Sequence, residues 1–244
     1  MNEIIKSLHS RKSVRAFEER EISKEDKALI LSSALQAPSA GNMTLYTVLD
    51  ITDQKLKDIL SVTCDNQPFI AKAPLVLVFC ADYHRWNQLF NKYTENPRKL
   101  SYGDIQLASV DAVIAAHNCV VAAESLGIGS CYIGDITENF ERHKELFNLP
   151  QHVLPVCMLV FGYPTKQQTE RVKPPRFRVE DIVFENSYDR NKAETMDAMI
   201  MERENKTQQE FEVWVKNFCN RKHNSDFSIE MSRSCEEMLR CFLR

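Results

Sequence analysis

Six glycines in 244 residues constrain this chain more than any other count. They are Gly41, Gly103, Gly127, Gly129, Gly134 and Gly162. That is about 2.5%, against ordinary usage of roughly 7%. Folds that spend a glycine in nearly every turn, such as propellers and β-solenoids, are disfavoured. The glycine-rich phosphate loops are absent too, since neither G-x-G-x-x-G nor G-x-x-x-x-G-K-[ST] occurs. A nucleotide bound here must have its phosphate held another way. Otherwise the chain reads as an ordinary globular protein, 43% hydrophobic and 27% charged. Its net charge of −3 gives no general electrostatic claim on nucleic acid or an anionic membrane.

The eight cysteines include no C-x-x-C pair and no Cys/His cluster at zinc spacing. Cys80, Cys119, Cys131 and Cys157 sit in apolar runs and read as small buried hydrophobes in a reducing compartment. Residues 1–12 lack the apolar core of a signal peptide. The longest clear apolar run, residues 73–81, is too short to span a bilayer. The expectation is a cytoplasmic protein.

Helices and strands interleave without regular βαβ repeats, which gives class α+β. Residues 2–9 read as a helix. Ser23, with Asp26 three residues on, reads as the N-cap of a second helix that stops before Pro38; Ala28, Leu31 and Leu35 are its expected buried stripe. Residues 45–51 read as a strand, 55–60 as a short helix and 75–81 as a fully buried strand. Residues 105–126 are apolar on most faces and predict a central buried helix ended by Gly127. Strands follow at 130–134 and 156–161. Between them Thr137 is the expected cap of a helix to Phe147, and residues 182–184 are β-like. After Tyr188 the composition turns polar, and two or three surface helices are expected. Phe211, Val215 and Phe218 lie there at helical spacing.

Four segments could carry chemistry. In Arg11-Lys12-Ser13-Val14-Arg15, extended alternation puts Arg11, Ser13 and Arg15 on one side. Two guanidinium forks and a hydroxyl make a phosphate grip that needs no glycine, although a solvated basic turn has the same letters. Residues 37–42, Ala-Pro-Ser-Ala-Gly-Asn, follow a helix and either face a ligand or merely stop the helix. Residues 127–134 hold half of the glycines; they leave backbone room for a flat ring, or for tight strand packing. Residues 171–178 gather four cations around two prolines. His117 reads as a satisfied core histidine. Asp111 and Glu124 read as paired structural carboxylates, and Met196, Met199 and Met201 as helix packing.

Together these pieces resemble the nitroreductase superfamily of FMN-dependent reductases, and within it the oxygen-insensitive NADPH nitroreductase and flavin reductase group. Arg11-Lys12-Ser13-Val14-Arg15-Ala16-Phe17 is similar to the family's R/H-x-S-x-R-x-F motif. Ala37-Pro38-Ser39 resembles its flavin-facing turn, and Gln67 falls where the family sets a glutamine against the ring. The resemblance continues in order through residues 125–134, 149–155 and 161–164, then Lys173, Arg176 and Glu185-Asn186-Ser187-Tyr188. It covers residues 1–188, about three quarters of the chain.

The resemblance implies a three-layer α/β/α sandwich with a central, mostly antiparallel sheet. It further implies an interlocked homodimer with two FMN sites at the subunit interface. Residues 1–188 would form the FMN-binding core, and 189–244 a helical extension packed on it. In this reading Arg11, Ser13 and Arg15, with Lys12 and Val14 in the same segment, hold the FMN phosphate or the pyrimidine edge. Ser39 and Gln67 hydrogen-bond the ring. The backbone at Tyr132, Ile133, Gly134 and Asp135 faces the ring near N5, and Lys173 and Arg176 complete the contacts. The implied activity is ping-pong reduction of nitroaromatics, quinones or free flavin by NADPH or NADH. No catalytic side chain is required, because FMN carries the chemistry. A flavin-binding module without turnover is the alternative from another class. Asp135 departs from the family pattern, which has a small residue there, and a carboxylate beside the ring would disfavour an anionic reduced flavin.

Overall fold

The run Leu-Val-Leu-Val-Phe-Cys-Ala has no polar face, so it can only sit where both sides of a sheet are covered. In the computed structural model, which describes residues 1–243 apart from the Ala193 side chain, it does so. The sheet has four strands: β1 (Tyr46–Asp50), β2 (Leu75–Asp82), β3 (Gly129–Ile133) and β4 (Val153–Gly162). Their order is β1-β2-β4-β3 and all three pairings are antiparallel. Every residue of β2 is buried. β4 is longer than its apolar run predicts and includes Pro155. The β2–β4 register shifts between Phe79 and Cys80, so Val156 is the extra residue of a bulge beside that proline.

The helices in chain order are α1 (Glu3–Ser10), α2 (Lys24–Ala34), α3 (Gln54–Thr63), α4 (Phe69–Lys72), α5 (His84–Tyr93), α6 (Tyr102–Ser125), α7 (Phe140–Leu146), α8 (Lys166–Glu170), α9 (Val179–Ile182), α10 (Arg190–Glu194), α11 (Met196–Glu204), α12 (Gln208–Lys222) and α13 (Asp226–Leu243). Strand alternation sets α2 and α6 on one face of the sheet and α3 and α4 on the other. Leu75, Leu77 and Phe79 pack with Ile30 and Ala34 of α2 and with Ala112, Ala116 and Cys119 of α6. Val76, Val78 and Cys80 point the other way, to Leu60 of α3 and Ile70 of α4.

Local signals hold at several ends. Ser23 Oγ accepts from Asp26 N at 2.9 Å, as its N-cap position predicts. Gly127 (φ +73°) closes α6: its N–H bonds Glu124 O, and the Ile128 N–H bonds Ala123 O, the paired bonds of a Schellman motif. Other expectations fail. The buried positions of α2 are Ile30 and Ala34, while Leu35 is 66% exposed. Residues 134–137 form a 3-10 turn, and α7 starts from Asn139 rather than from Thr137. Residues 179–182 are helical where residues 182–184 read as β-like.

Helix α6 is not buried all round. Ile105, Ala108, Ala112, Ala115 and Cys119 face the core, but Leu107, Val110 and Val113 are 46%, 49% and 44% exposed, and His117 is exposed as well. His117 is therefore not a core histidine. By length and composition α6 is also apolar enough to cross a membrane, which corrects the expectation that no segment is. Its buried side packs against the sheet, as a core helix does.

The chain forms two compact units: Met1–Arg171 together with the chain from Glu230 onward, and Val172–Ile229. The last helix therefore ends inside the first unit. Phe242 is fully buried and Met238 nearly so, among Leu45, Ala81, Phe140 and Leu154. This corrects the expectation that the last quarter is only surface helix; four helices follow Tyr188 among the described residues.

Candidate functional site

Residues 11–17 are anchored as an extra extended segment against the sheet. Ser13 bridges Ser130 in parallel, and Phe17 bridges Pro164 in antiparallel fashion. Val14 N donates to Ser130 O at 2.9 Å, Glu18 N to Tyr163 O at 2.8 Å, and Thr165 N to Ala16 O at 3.2 Å. Two glycines allow this close approach. Gly129 and Gly162 are register partners on β3 and β4. A Cβ on Gly129 would lie 2.5 Å from Val14 Cγ2, and one on Gly162 would lie 2.6 Å from Phe17 Cδ1. The room at Gly129 thus belongs to Val14 and not to a ring, and Gly127 serves the helix cap. Gly127 and Gly134 both have open space beside their backbones, and of these Gly134 is not used as a helix end.

The pinning decides what each residue of the segment can offer. Val14 is 4% exposed and its side chain is spent on Gly129, leaving only its backbone for a ligand. Lys12 Nζ donates to Thr169 O at 2.8 Å and to Arg171 O, so it closes the C-terminal end of α8. Arg171 Nη2 donates to Ser13 O at 2.6 Å and braces the segment. The other side is left with Arg11, Ser13 and Arg15. Arg11 Nε is buried without a hydrogen-bond partner. Among the described residues the Arg15 guanidinium has no hydrogen-bond or ion-pair partner either; only its backbone N is used, toward Gln168 Oε1.

Ser39 lies in the layer of α2 and α6. Its Oγ accepts from Thr44 N at 3.0 Å, and Asp111 of α6 accepts from Ala40 N at 3.0 Å and Leu45 N at 3.2 Å. The turn places Gly41, Asn42 and Thr44 at positive φ, which is costly for a β-branched threonine. Asp111 therefore secures a strained turn and is not paired with Glu124, whose carboxyl is raised by burial and opposed by Arg11. Asp111→Ala is expected to cost about 1–3 kcal/mol, because two buried N–H groups lose their acceptor; denaturant unfolding measures it. Ser39 faces a cavity of about 680 Å³ shared with Arg98, Leu107, Val110 and Ile114.

Gln67 and Asp135 meet on the opposite layer. Left-handed Asp65 and Asn66 turn the chain after α3, and Gln67 N donates to Ser61 O at 2.7 Å. Gln67 Nε2 then donates to Cys64 O and to Asp135 Oδ2, both at 2.8 Å. Asp135 follows the open Gly134 in the 3-10 turn. The Tyr132 side chain packs toward α6, burial raising its phenol, and Ile133 is buried in the layer of α3. The structure thus joins two predicted residues, Gln67 and Asp135, and sets Ser39 apart from them across the sheet.

Sequence reasoning missed Glu138, which is 5% exposed and stands under Asp135 with its N–H bonded to Asp135 O at 3.0 Å. The D-x-x-E spacing over one helical turn was its available signal. Lys173 and Arg176 belong to the second unit, where Arg176 Nη1 donates to Pro174 O at 3.2 Å. In the same unit Arg203 stacks over the Phe177 ring at 4.2 Å.

The chain is similar to known proteins over most of its length. The family model described as "Nitroreductase family" matches residues 8–163. The FMN reductase (NADPH) of Bacillus subtilis is 32% identical over 193 residues, 78% of this chain and 76% of that protein. The oxygen-insensitive NADPH nitroreductase of Salmonella typhimurium is 32% identical over 189 residues, 77% of this chain and 75% of its own. The solved NADPH:FMN oxidoreductase of Vibrio harveyi, complexed with NAD+, matches with a TM-score of 0.77 at 25% identity and covers 98% of both chains.

Proposed function

This chain belongs to the nitroreductase family, and from that premise we propose that it is an FMN-dependent NAD(P)H oxidoreductase. The observation that carries the cofactor is the set of donors on one side of residues 11–15. Arg11 Nε is buried without a protein partner and the Arg15 guanidinium has none. A phosphate of charge about −2 fits that set, since guanidinium groups bind it through paired, charge-assisted bonds.

When bound, FMN supplies the two-electron hydride chemistry between NAD(P)H and an acceptor. The chain positions it. In our reading Arg11, Ser13 and Arg15 hold the phosphate or the pyrimidine edge. Lys12 and Val14 fix the segment that carries them. The open backbone at Gly134 receives the ring, beside Tyr132, Ile133 and Asp135, with Gln67 at its edge. Lys173 and Arg176 add positive charge, and residues 1–188 carry the site with 189–244 as the extension. The acceptors are nitroaromatics, quinones or free flavin, and similarity to an FMN reductase favours the last as much as the others.

We also read the protein as an interlocked homodimer with two FMN sites at the interface. The exposed apolar face of α6, with Leu107, Val110 and Val113, supports this, as do Ile4, Ile5 and Leu8 of α1 at 62%, 41% and 43% exposure. In this reading Ser39, beside that face and away from Gln67, would serve a partner's ring. The eight free cysteines support a cytoplasmic setting.

Purified protein is expected to be yellow and to bleach anaerobically with NADPH or NADH, with parallel-line kinetics once an acceptor is added. A yellow protein that neither nicotinamide bleaches would sink the enzyme reading. A colourless protein that binds no added FMN would sink the cofactor.

A further inference from the structure

A carboxylate oxygen removed from water needs a donor or a proton. Glu138 is 5% exposed, and its Oε1 has no hydrogen-bond donor. The group facing it is a second carboxyl, Asp135, which is half-buried and already accepts from Gln67 Nε2. The Asp135 and Glu138 side chains interact directly, and two carboxyls so placed satisfy each other only when one of them carries a proton.

Among the described residues no cation relieves the pair. Asp65 and Glu230 add further negative charge. Glu230 is itself committed to Arg233 at 2.8 Å and to Ser234. The His143 ring is spent on Ile136 O at 2.9 Å and Thr63 Oγ1 at 2.8 Å. Burial raises the thiol of the neighbouring Cys64 and leaves it neutral. Burial first, then the Asp135 charge and the bond between the two, pushes the Glu138 carboxyl up to about 8.

We propose that Asp135 and Glu138 share one proton beside the open backbone of Gly134, and that this pair supplies the proton that accompanies hydride delivery to the acceptor. The inference rests on the reading of residues 132–135 as the backbone facing the flavin ring. Asp135, half-exposed, is the end that exchanges the proton; Glu138, behind it, is the store and acts as a positioning residue. Hydride arriving at a quinone carbon or oxygen leaves an anionic oxygen on the acceptor. The carboxyl O–H bond breaks, its electron pair stays on the carboxylate, and the proton adds to that oxygen. Water returns a proton to the pair before the next turnover. Electrons come only from the NAD(P)H of the proposed reaction, so no further reductant is needed.

The first measurement needs no flavin chemistry. Infrared titration of the protein should show a protonated-carboxyl C=O band at pH 7 that fades as pH rises through about 8, and Glu138→Gln should lack it. Asp135→Asn keeps a neighbour for Gln67 and removes the repulsion, so the Glu138 band should fade at lower pH than in the wild type. The second measurement is stopped-flow oxidation of the pre-reduced holoenzyme by p-benzoquinone. Its rate should fall tenfold per pH unit above the titration point in the wild type. In Glu138→Gln it should be ~100-fold lower and flat with pH, the order expected for losing a general acid. No band at pH 7, or a Glu138→Gln rate with the wild-type pH profile, overturns the proposal. A band in a protein that binds no FMN would overturn the flavin reading and with it the proton's use, while the shared proton itself would stand.

Discussion

Arg15→Ala is expected to weaken FMN binding ~30- to 1,000-fold while leaving the fold intact. Losing a guanidinium from a charged, hydrogen-bonded phosphate contact costs about 2–4 kcal/mol, and each 1.4 kcal/mol is tenfold. The structure explains why stability should not follow. Arg15 is exposed, and among the described residues its hydrogen bonding is confined to the backbone N, at 3.3 Å from Gln168 Oε1. A change at such a site is ordinarily within about 0.5 kcal/mol. Flavin-fluorescence titration of the apoprotein measures the first quantity and thermal unfolding the second. The wild-type affinity should also fall with added salt and the variant's should fall less, because part of the attraction is Coulombic. Unchanged FMN affinity would place the phosphate grip elsewhere.

Phe242→Ala should be the most damaging single truncation near the end of the chain. Phe242 is fully buried among Leu45, Ala81, Phe140 and Leu154, with its ring edge-on to His152 at 5.3 Å. Its carbonyl accepts from His152 Nδ1 at 2.6 Å. Emptying a buried phenylalanine site costs about 3–5 kcal/mol, which lowers Tm by roughly 6–20 °C in a chain of this size. The carbonyl bond to His152 survives the substitution, so the loss measures packing. Unfolding within about 1 kcal/mol of wild type would show that the last turn of α13 does not anchor the first unit.

These two residues differ in how visible they are in the sequence. Arg15 stands in a run whose alternation already separates Arg11, Ser13 and Arg15 from Val14. Phe242 lies in a polar tail that reads as surface helix, and its burial depends on a pocket assembled from β2, β4 and α7. The same division runs through the site. The basic segment and the Ser39 turn were legible as letters, and Gln67 only through the family resemblance. That Lys12 closes α8, that Val14 fills the space over Gly129, and that Gln67 reaches Asp135 were not.

Periodicity fails for a stated reason on α6. When nearly every position is apolar, no stripe marks which side meets the sheet, so the exposure of Leu107, Val110, Val113 and His117 could not be read. Which β2 side chains meet α2 and α6 and which meet α3 and α4 was equally silent in its letters, since both faces are apolar. Glu138 adds the third case: its spacing from Asp135 is local, but the loss of solvent that makes them share a proton requires α3 and α7 around them.

The sequence by itself determined the local devices: the Ser23 cap, the Gly127 helix end, the doubly buried β2 and the alternation of the basic segment 11–15. Each depends on interactions within a few residues, which the order of side chains specifies directly. Only the tertiary structure decided which glycines are covered by a neighbouring side chain, which guanidinium nitrogens among the described residues stay without a hydrogen bond and which carboxyl loses its water. Those outcomes depend on neighbours as distant in sequence as Gln67 and Asp135, 68 positions apart, or Arg15 and Gln168, 153 apart, and solvent exclusion belongs to the packed assembly of elements and to none of them alone.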